Sequence, residues 1–303
     1  MDTQSTNENG YTVKRGVRYG KAGRVGLKLD LYLPNGEASK PRPTVVLIHG
    51  GAWLFGTRYQ LHWYGSRLAR AGYVAASINY RMLPMYPFPY CIHDCKAAVR
   101  WLRLHADEYG IDPERIAAFG NSAGGHLAGL LATTRPRDGL EGPLNPETSS
   151  AVQAAISMYG AVDLTEYRGW RKRDLSRRVA SEFVGYFVSV GRGRRPGSNA
   201  WETASPITYA HPGAAPMLFI HGTRDFLVDV EQSKRFTERL HEVGAHAELV
   251  TLHDRGHGFD FFDPWKRREV WKDVLGFLER QLRGATHTDT EPDLPQVRIV
   301  NEA

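Results

Sequence analysis

"IAAFGNSAGGHLAGLLATT", residues 116–134, is an apolar run that breaks into small residues and resumes with helical character. Residues 116–120 read as a buried strand and residues 126–134 as a helix, with Ser122 at the turn between them, inside Gly120-Asn121-Ser122-Ala123-Gly124. Glycine costs about 1 kcal/mol relative to alanine inside a helix, so Gly120, Gly124 and Gly125 at this junction answer some demand other than propensity. A strand handing over to a helix is one unit of a parallel sheet covered by helices.

The same alternation extends in both directions. "TVVLIHG" (44–50), "VAASINY" (74–80), "AAISMYG" (154–160), "MLFIHG" (217–222) and "AELVTLH" (247–253) read as buried strands. "VGLKLDLYLP" (25–34) alternates polar and apolar, which predicts a half-exposed strand near a sheet edge. Between them, Cys95, Ala98, Val99 and Leu102 share one helical face, as do Trp271, Val274, Leu275, Leu278 and Leu282. Residues 164–205 interrupt the pattern with basic and aromatic residues, and the segment after Gly284 is polar. The expectation is one α/β domain over residues 1–303, a mostly parallel sheet flanked by helices. Its ordered core covers about residues 20–283, with a small cap insertion at 164–205 and a loose tail at 285–303.

With 42% apolar residues in 303, the chain can bury a sizeable core. No apolar run approaches the roughly 20 residues of a membrane span. The start, "MDTQSTNENGYT", lacks the basic and apolar regions of a secretory signal, so an intracellular, cytoplasmic protein is expected. Cys91 and Cys95 lie one helical turn apart, poorly placed for a disulfide, and read as two buried thiols. The net charge of +6 is concentrated between Arg168 and Arg195, where nine basic residues face Asp174 and Glu182. No nucleic-acid reader motif accompanies them, and a solvated surface insert is the plainer reading.

The turn at Ser122 has the G-x-S-x-G form of a nucleophile elbow. Its strained turn needs small neighbours, and it sets the serine at a helix N-terminus, where N–H groups favour negative charge. Serine needs a base, and the order Ser, acid, His places Asp225 and His257 just beyond the strands at 217–222 and 247–253. Asp229 reads better as a helix cap, and Asp163 precedes the insertion rather than the strand leading to His257. A metal site at His253 and Asp254 lacks further ligands, and "HEVGAH" (241–246) has the wrong spacing for a zinc helix. In His49-Gly50-Gly51-Ala52-Trp53 the glycines free backbone N–H groups to face an oxyanion; Gly51, Ala52 and Ala123 are the expected donors. Trp53, Asn121, Trp170 and Phe259 are candidate substrate contacts, and Phe183, Tyr186 and Phe187 either wall a pocket or anchor the cap. No phosphate loop or dinucleotide fingerprint is present, and no cofactor or metal is expected.

"HGGAW", "GNSAGG", "ASPITYAHPGAAPMLFIHGTRD" and "GHGF" together resemble the esterases of the α/β-hydrolase superfamily. The similarity is greatest to the hormone-sensitive-lipase-like branch and to bacterial acetyl-xylan and feruloyl esterases. It spans about residues 20–283 and implies a serine carboxylic-ester hydrolase with Ser122, Asp225 and His257 as its triad. Short-to-medium acyl esters are expected, because no long apolar lid helix is evident. The implied partner is a small-molecule or oligosaccharide ester, with no nucleic acid and no membrane; a homo-oligomer stays open. The His-Gly-Gly-Ala-Trp form departs from the His-Gly-Gly-Gly of many lipase-like members and also resembles kynurenine formamidases, which cleave an N-formyl amide. A non-catalytic ligand receptor on the same fold is the remaining alternative.

Overall fold

The computed structural model describes residues 4–36, 39–169, 175–189, 199–284 and 297–300. Among these residues, ten strands form one sheet: β1 (Gln4–Glu8), β2 (Tyr11–Ala22), β3 (Val25–Pro34), β4 (Arg42–Ile48), β5 (Val74–Ile78), β6 (Ile111–Asn121), β7 (Ala154–Met158), β8 (Met217–Gly222), β9 (Ala247–Leu252) and β10 (Val297–Val300). Their spatial order is β1-β2-β3-β5-β4-β6-β7-β8-β9-β10. The first four neighbours pair antiparallel and every pair from β5 to β10 is parallel.

Side chains of the central strands alternate between two cores, as a period of two requires. On β4, Val46 and Ile48 enter one core while Val45 and Leu47 enter the other. The second core is closed by α1 (His62–Arg70) through Leu68. The first is closed by α2 (Tyr90–Leu104), which α3 (Ala106–Tyr109) follows, and by α4 (Ala123–Thr133), through Val99 and Leu127. The segment after β7 carries α5 (Thr165–Gly169), α6 (Leu175–Val188) and α7 (Ala200–Thr203). After β8, α8 (Val230–Glu242) adds Phe236 to the first core. After β9 comes α9 (Phe259–Phe262), then α10 (Pro264–Arg283), which adds Val274 and Leu278 to the second. Fully burying such a side chain is worth about 1.5–3 kcal/mol.

Three expectations are corrected. The strand at 25–34 is no half-exposed edge: β3 lies between β2 and β5, and Leu27, Leu29, Leu31 and Tyr32 are buried. Its alternation reflects Lys28 and a buried Asp30, which accepts from Gly16 N and Arg58. The sheet starts well before residue 20, because Tyr11, Val13, Val17 and Tyr19 of β2 are buried. Part of the expected tail is a strand, since β10 pairs in parallel with β9. Cys91 and Cys95 are free and buried on α2.

The chain leaves β4 for β5 on one side and returns to β6 on the other. The loops after β4 and β6 therefore diverge at the carboxyl edge. In open α/β sheets such a switch point opens a crevice where ligands bind.

Candidate active site

Ser122 stands in that crevice, between β6 and α4, with φ 52° and ψ −120°. A non-glycine residue at positive φ is strained and persists only where its surroundings force it. Here Ser122 N bonds the Met158 carbonyl at 2.9 Å and Ser122 O accepts from His126 N at 3.0 Å. The flanking glycines are required by close approach. A Cβ at Gly120 would lie 2.1 Å from the Gly124 oxygen, and one at Gly124 would lie 1.9 Å from the Ile48 oxygen.

The three residues predicted from the ends of β6, β8 and β9 meet. His257 Nε2 lies 2.8 Å from Ser122 Oγ, and His257 Nδ1 lies 2.7 Å from Asp225 Oδ2. The Asp225 side chain is fully buried; burial raises its carboxyl pKa, but hydrogen bonds from His221 and His257 outweigh that and hold it well below the usual range. Its other oxygen accepts from Leu227 N and Val228 N, both at 2.9 Å. A buried carboxylate on one ring nitrogen and a hydroxyl on the other is an arrangement able to draw the proton from Ser122.

Among the described residues, neither Gly51 N nor Ala52 N bonds a backbone acceptor, and Ala52 and Ala123 border the same cavity as Ser122. Gly51 (φ 112°), Ala52 (φ 52°) and Trp53 (φ 56°) all take left-handed conformations, turning the loop after β4 toward Ser122. His49 braces this loop from within. Its Nδ1 bonds the Gly50 carbonyl at 2.8 Å, its ring stacks on Tyr80, and burial lowers its pKa to about 4.

The cavity over Ser122 and His257 holds about 130 Å³ and is walled by Trp53, Ala161, Tyr167, Phe183, Val184 and Leu227. Trp53 stacks on Phe187 at 4.0 Å between ring centroids. Phe187 therefore anchors the cap, whereas Phe183 faces the cavity. Tyr186 is half exposed and donates to the Pro84 carbonyl.

Asn121 and Phe259 do not reach the cavity. Asn121 is buried behind the elbow and donates to Tyr159 Oη, and Phe259 packs edge-on against the Tyr159 ring. Trp170 lies outside the described residues, as do Arg171, Lys172, Arg173, Arg192, Arg194 and Arg195 of the basic segment. Arg168, from the same segment, is paired with Glu202. Asp229 caps α8 by accepting from Glu231 N, and Asp163 accepts from Thr165. His253 and Asp254 pair with each other on the surface.

Four further residues were not evident in the sequence. His126 is fully buried, accepts from Trp53 Nε1 at 3.2 Å and donates from Nε2 to the Ala204 carbonyl at 2.7 Å; burial lowers its pKa to about 4. Tyr159 (φ 39°) sets its ring edge-on to His257 at 4.7 Å and donates its hydroxyl hydrogen to Asp260. Asp260 also accepts from Tyr64. His221 stands behind Asp225. Its signal was the histidine near the end of the strand before Asp225; the others only become partners through folding.

The BD-FAE family model matches residues 29–240. The chain is 35% identical to esterase LipC of Mycobacterium tuberculosis over 84% of its own length and 61% of LipC. It spans 61% to 64% of the length of three such mycobacterial relatives. Among solved structures, it is similar to Thermogutta terrifontis esterase 2 phosphorylated by paraoxon: TM-score 0.72, 29% identity, covering 89% of this chain and 94% of that one. The same esterase with propionate bound gives a TM-score of 0.71 at 30% identity, with 89% and 94% covered. A truncated carbohydrate esterase from gut microbiota gives 0.77 at 27% identity, with 92% and 100% covered.

Proposed function

The chain belongs to the BD-FAE family and has the α/β-hydrolase fold, and from that premise we propose that it is a serine hydrolase of short-to-medium acyl carboxylic esters. The observation that carries this reading is the continuous line from Asp225 through His257 to Ser122, with both contacts under 3 Å. Ser122 Oγ attacks the ester carbonyl as His257 Nε2 takes its proton. The oxyanion faces the N–H groups of Gly51, Ala52 and Ala123; deleting one such donor costs about 3–4 kcal/mol in other hydrolases. His257 then protonates the leaving alcohol, and an acyl group remains on Ser122. Water, activated by the same imidazole, releases the acid. Asp225 orients the ring and stabilises its charged form. The apolar cavity of 130 Å³ supports a short acyl group, as does the propionate seen in the Thermogutta esterase.

Turnover of 4-nitrophenyl acetate tests the proposal. Ser122→Ala should lose about a thousandfold or more in kcat with the fold intact. A fluorophosphonate should label Ser122 in the parent chain. Turnover retained in Ser122→Ala would overturn Ser122 as the nucleophile. No turnover together with no adduct on Ser122 in the parent chain would overturn the ester-hydrolase reading in favour of a ligand receptor.

A further inference from the structure

The cavity over Ser122 is smaller than a whole ligand site, which commonly holds about 300–1,000 Å³. One arm of an ester fits inside; the other must lie outside. The large apolar side chains left exposed gather at the same edge of the sheet. Among the described residues, every exposed large hydrophobic side chain except Leu104 belongs to a segment leaving the carboxyl end of β4, β5, β7, β8 or β9. Leu104, at the far end of α2, is the one on the opposite edge. Large exposed apolar side chains gathered at one edge of a monomer commonly mark a binding surface.

Two of the three most exposed of these side chains, Phe226 and Phe262, neighbour the acid and the base. Phe262, Phe226 and Trp265 are 86%, 80% and 74% exposed. Phe226 follows Asp225 directly, and the two N–H groups after it are fixed on the Asp225 carboxylate. The Phe262 ring lies over Gly258, the neighbour of His257. Leu227 is 48% exposed yet also walls the cavity, so the inner and outer apolar surfaces are continuous.

Chemistry and size together assign the arms. The proton that His257 takes from Ser122 goes to the oxygen of the leaving alcohol, so that oxygen must come within hydrogen-bond reach of His257 Nε2. His257 also borders the cavity, so this reach alone allows either arm outside. A short acyl chain fills the 130 Å³ and leaves the alcohol to the side of Phe226 and Phe262, the neighbours of Asp225 and His257. The acyl carbon stays on Ser122 Oγ with its chain in the cavity. We propose that the substrates are esters joining a short acid to a large apolar alcohol, with the acyl group in the cavity and the alcohol on the aromatic rim beside His257. This rests on the ester-hydrolase reading. The step releases the alcohol with the His257 proton and leaves a short acyl serine, which water opens to the free acid.

Octyl acetate and ethyl octanoate are isomers whose long apolar arm sits on opposite sides of the ester, and they test the assignment with ethyl acetate as reference. All three are assayed below their solubility limits. Octyl acetate should exceed ethyl octanoate by about tenfold or more in kcat/KM, the scale of discrimination an apolar site reaches. In Phe226→Ser/Phe262→Ser/Trp265→Ser, the ratio of kcat/KM for octyl acetate to that for ethyl acetate should fall by about tenfold. Equal or faster turnover of ethyl octanoate, or an unchanged ratio in the variant, would overturn the proposal. So would octyl acetate hydrolysis appearing only above its solubility limit or with added vesicles, which would make the rim a lipid-docking surface. Turnover of none of the three would sink the ester-hydrolase reading along with it.

Discussion

Trp53 Nε1 donates to His126 Nδ1 at 3.2 Å, tying the loop after β4 to the helix that starts at Ser122. His126 Nε2 donates in turn to the Ala204 carbonyl, so one imidazole joins the loop, the elbow helix and the returning insertion. Both His126 and His49 are buried, and burial lowers each pKa from 6.5 to about 4. The unfolded chain takes up protons near 6.5 where the folded chain does not. Each histidine's stabilising contribution is thus complete above about pH 6.5 and lost as pH falls toward 4. Urea unfolding should show stability declining from pH 7 to 5, at up to about 1.4 kcal/mol per pH unit for each histidine. His126→Phe, though weaker at pH 7, should decline less steeply by one histidine's share. Parallel pH dependences in parent and variant would contradict this.

Two glycine-to-alanine changes should have opposite signs. At Gly124 a Cβ would lie 1.9 Å from the Ile48 oxygen, a backbone atom that cannot turn aside. Gly124→Ala should cost several kcal/mol, of order 3–5, and yield little soluble protein. Gly276, inside α10, would meet only the end of the Arg280 side chain at 3.4 Å. Gly276→Ala should raise stability by about 0.5–1 kcal/mol. Thermal melts decide both, and a stabilised Gly124→Ala would refute the close-packing account of the elbow.

Tyr159 separates two roles within one side chain. Its hydroxyl serves Asp260 and Asn121, and its ring abuts His257. Tyr159→Phe leaves the ring but withdraws a donor from a buried carboxylate, costing about 1–3 kcal/mol in stability while kcat changes little. Tyr159→Ala removes the surface against which His257 rests and should lower kcat by about tenfold or more. Equal kcat in the two variants would show that the ring plays no part in placing His257.

The meeting of Ser122, His257 and Asp225 was legible because each follows a strand with a strong apolar signal: "IAAFG" before Ser122, "MLFIHG" before Asp225, "AELVTLH" before His257. Strand ends on one edge of a parallel sheet must converge, so order alone brings the three together. Asn121 misled because adjacency to Ser122 says nothing of direction: alternate residues of a strand face opposite ways, and Asn121 points into the sheet toward Tyr159. Asp260 and Tyr159, 101 residues apart, meet only when folding brings α9 beside the turn after β7, and neither segment hints at the other. β3 was misplaced for a related reason. Asp30 reads as a solvent-facing residue until Gly16 and Arg58 arrive to pair with it.

His221, one residue before the end of β8, is fully buried, with Nε2 2.9 Å from the Val228 carbonyl and 3.3 Å from Asp225 Oδ2. Since the carbonyl only accepts, Nε2 carries the hydrogen and shares it between the two oxygens. Ser233 Oγ, 2.7 Å from Nδ1, holds the ring from behind. His221 is therefore a positioning residue for the acid. The sign of its pH effect follows from Asp225, whose pKa is held below 3.8 in the folded chain by His221 and His257 despite burial. That contribution is present above about pH 4 and lost as pH falls through the lowered value. His221→Phe should destabilise the chain at pH 7 by about 1–3 kcal/mol, because the Val228 carbonyl and the carboxylate both lose a donor. At pH 3 the carboxylate in the variant begins to protonate and the gap from the parent should narrow. Urea midpoints for both chains at the two pH values test this, and a gap that stays constant would assign the whole cost to packing and the Val228 bond rather than to Asp225.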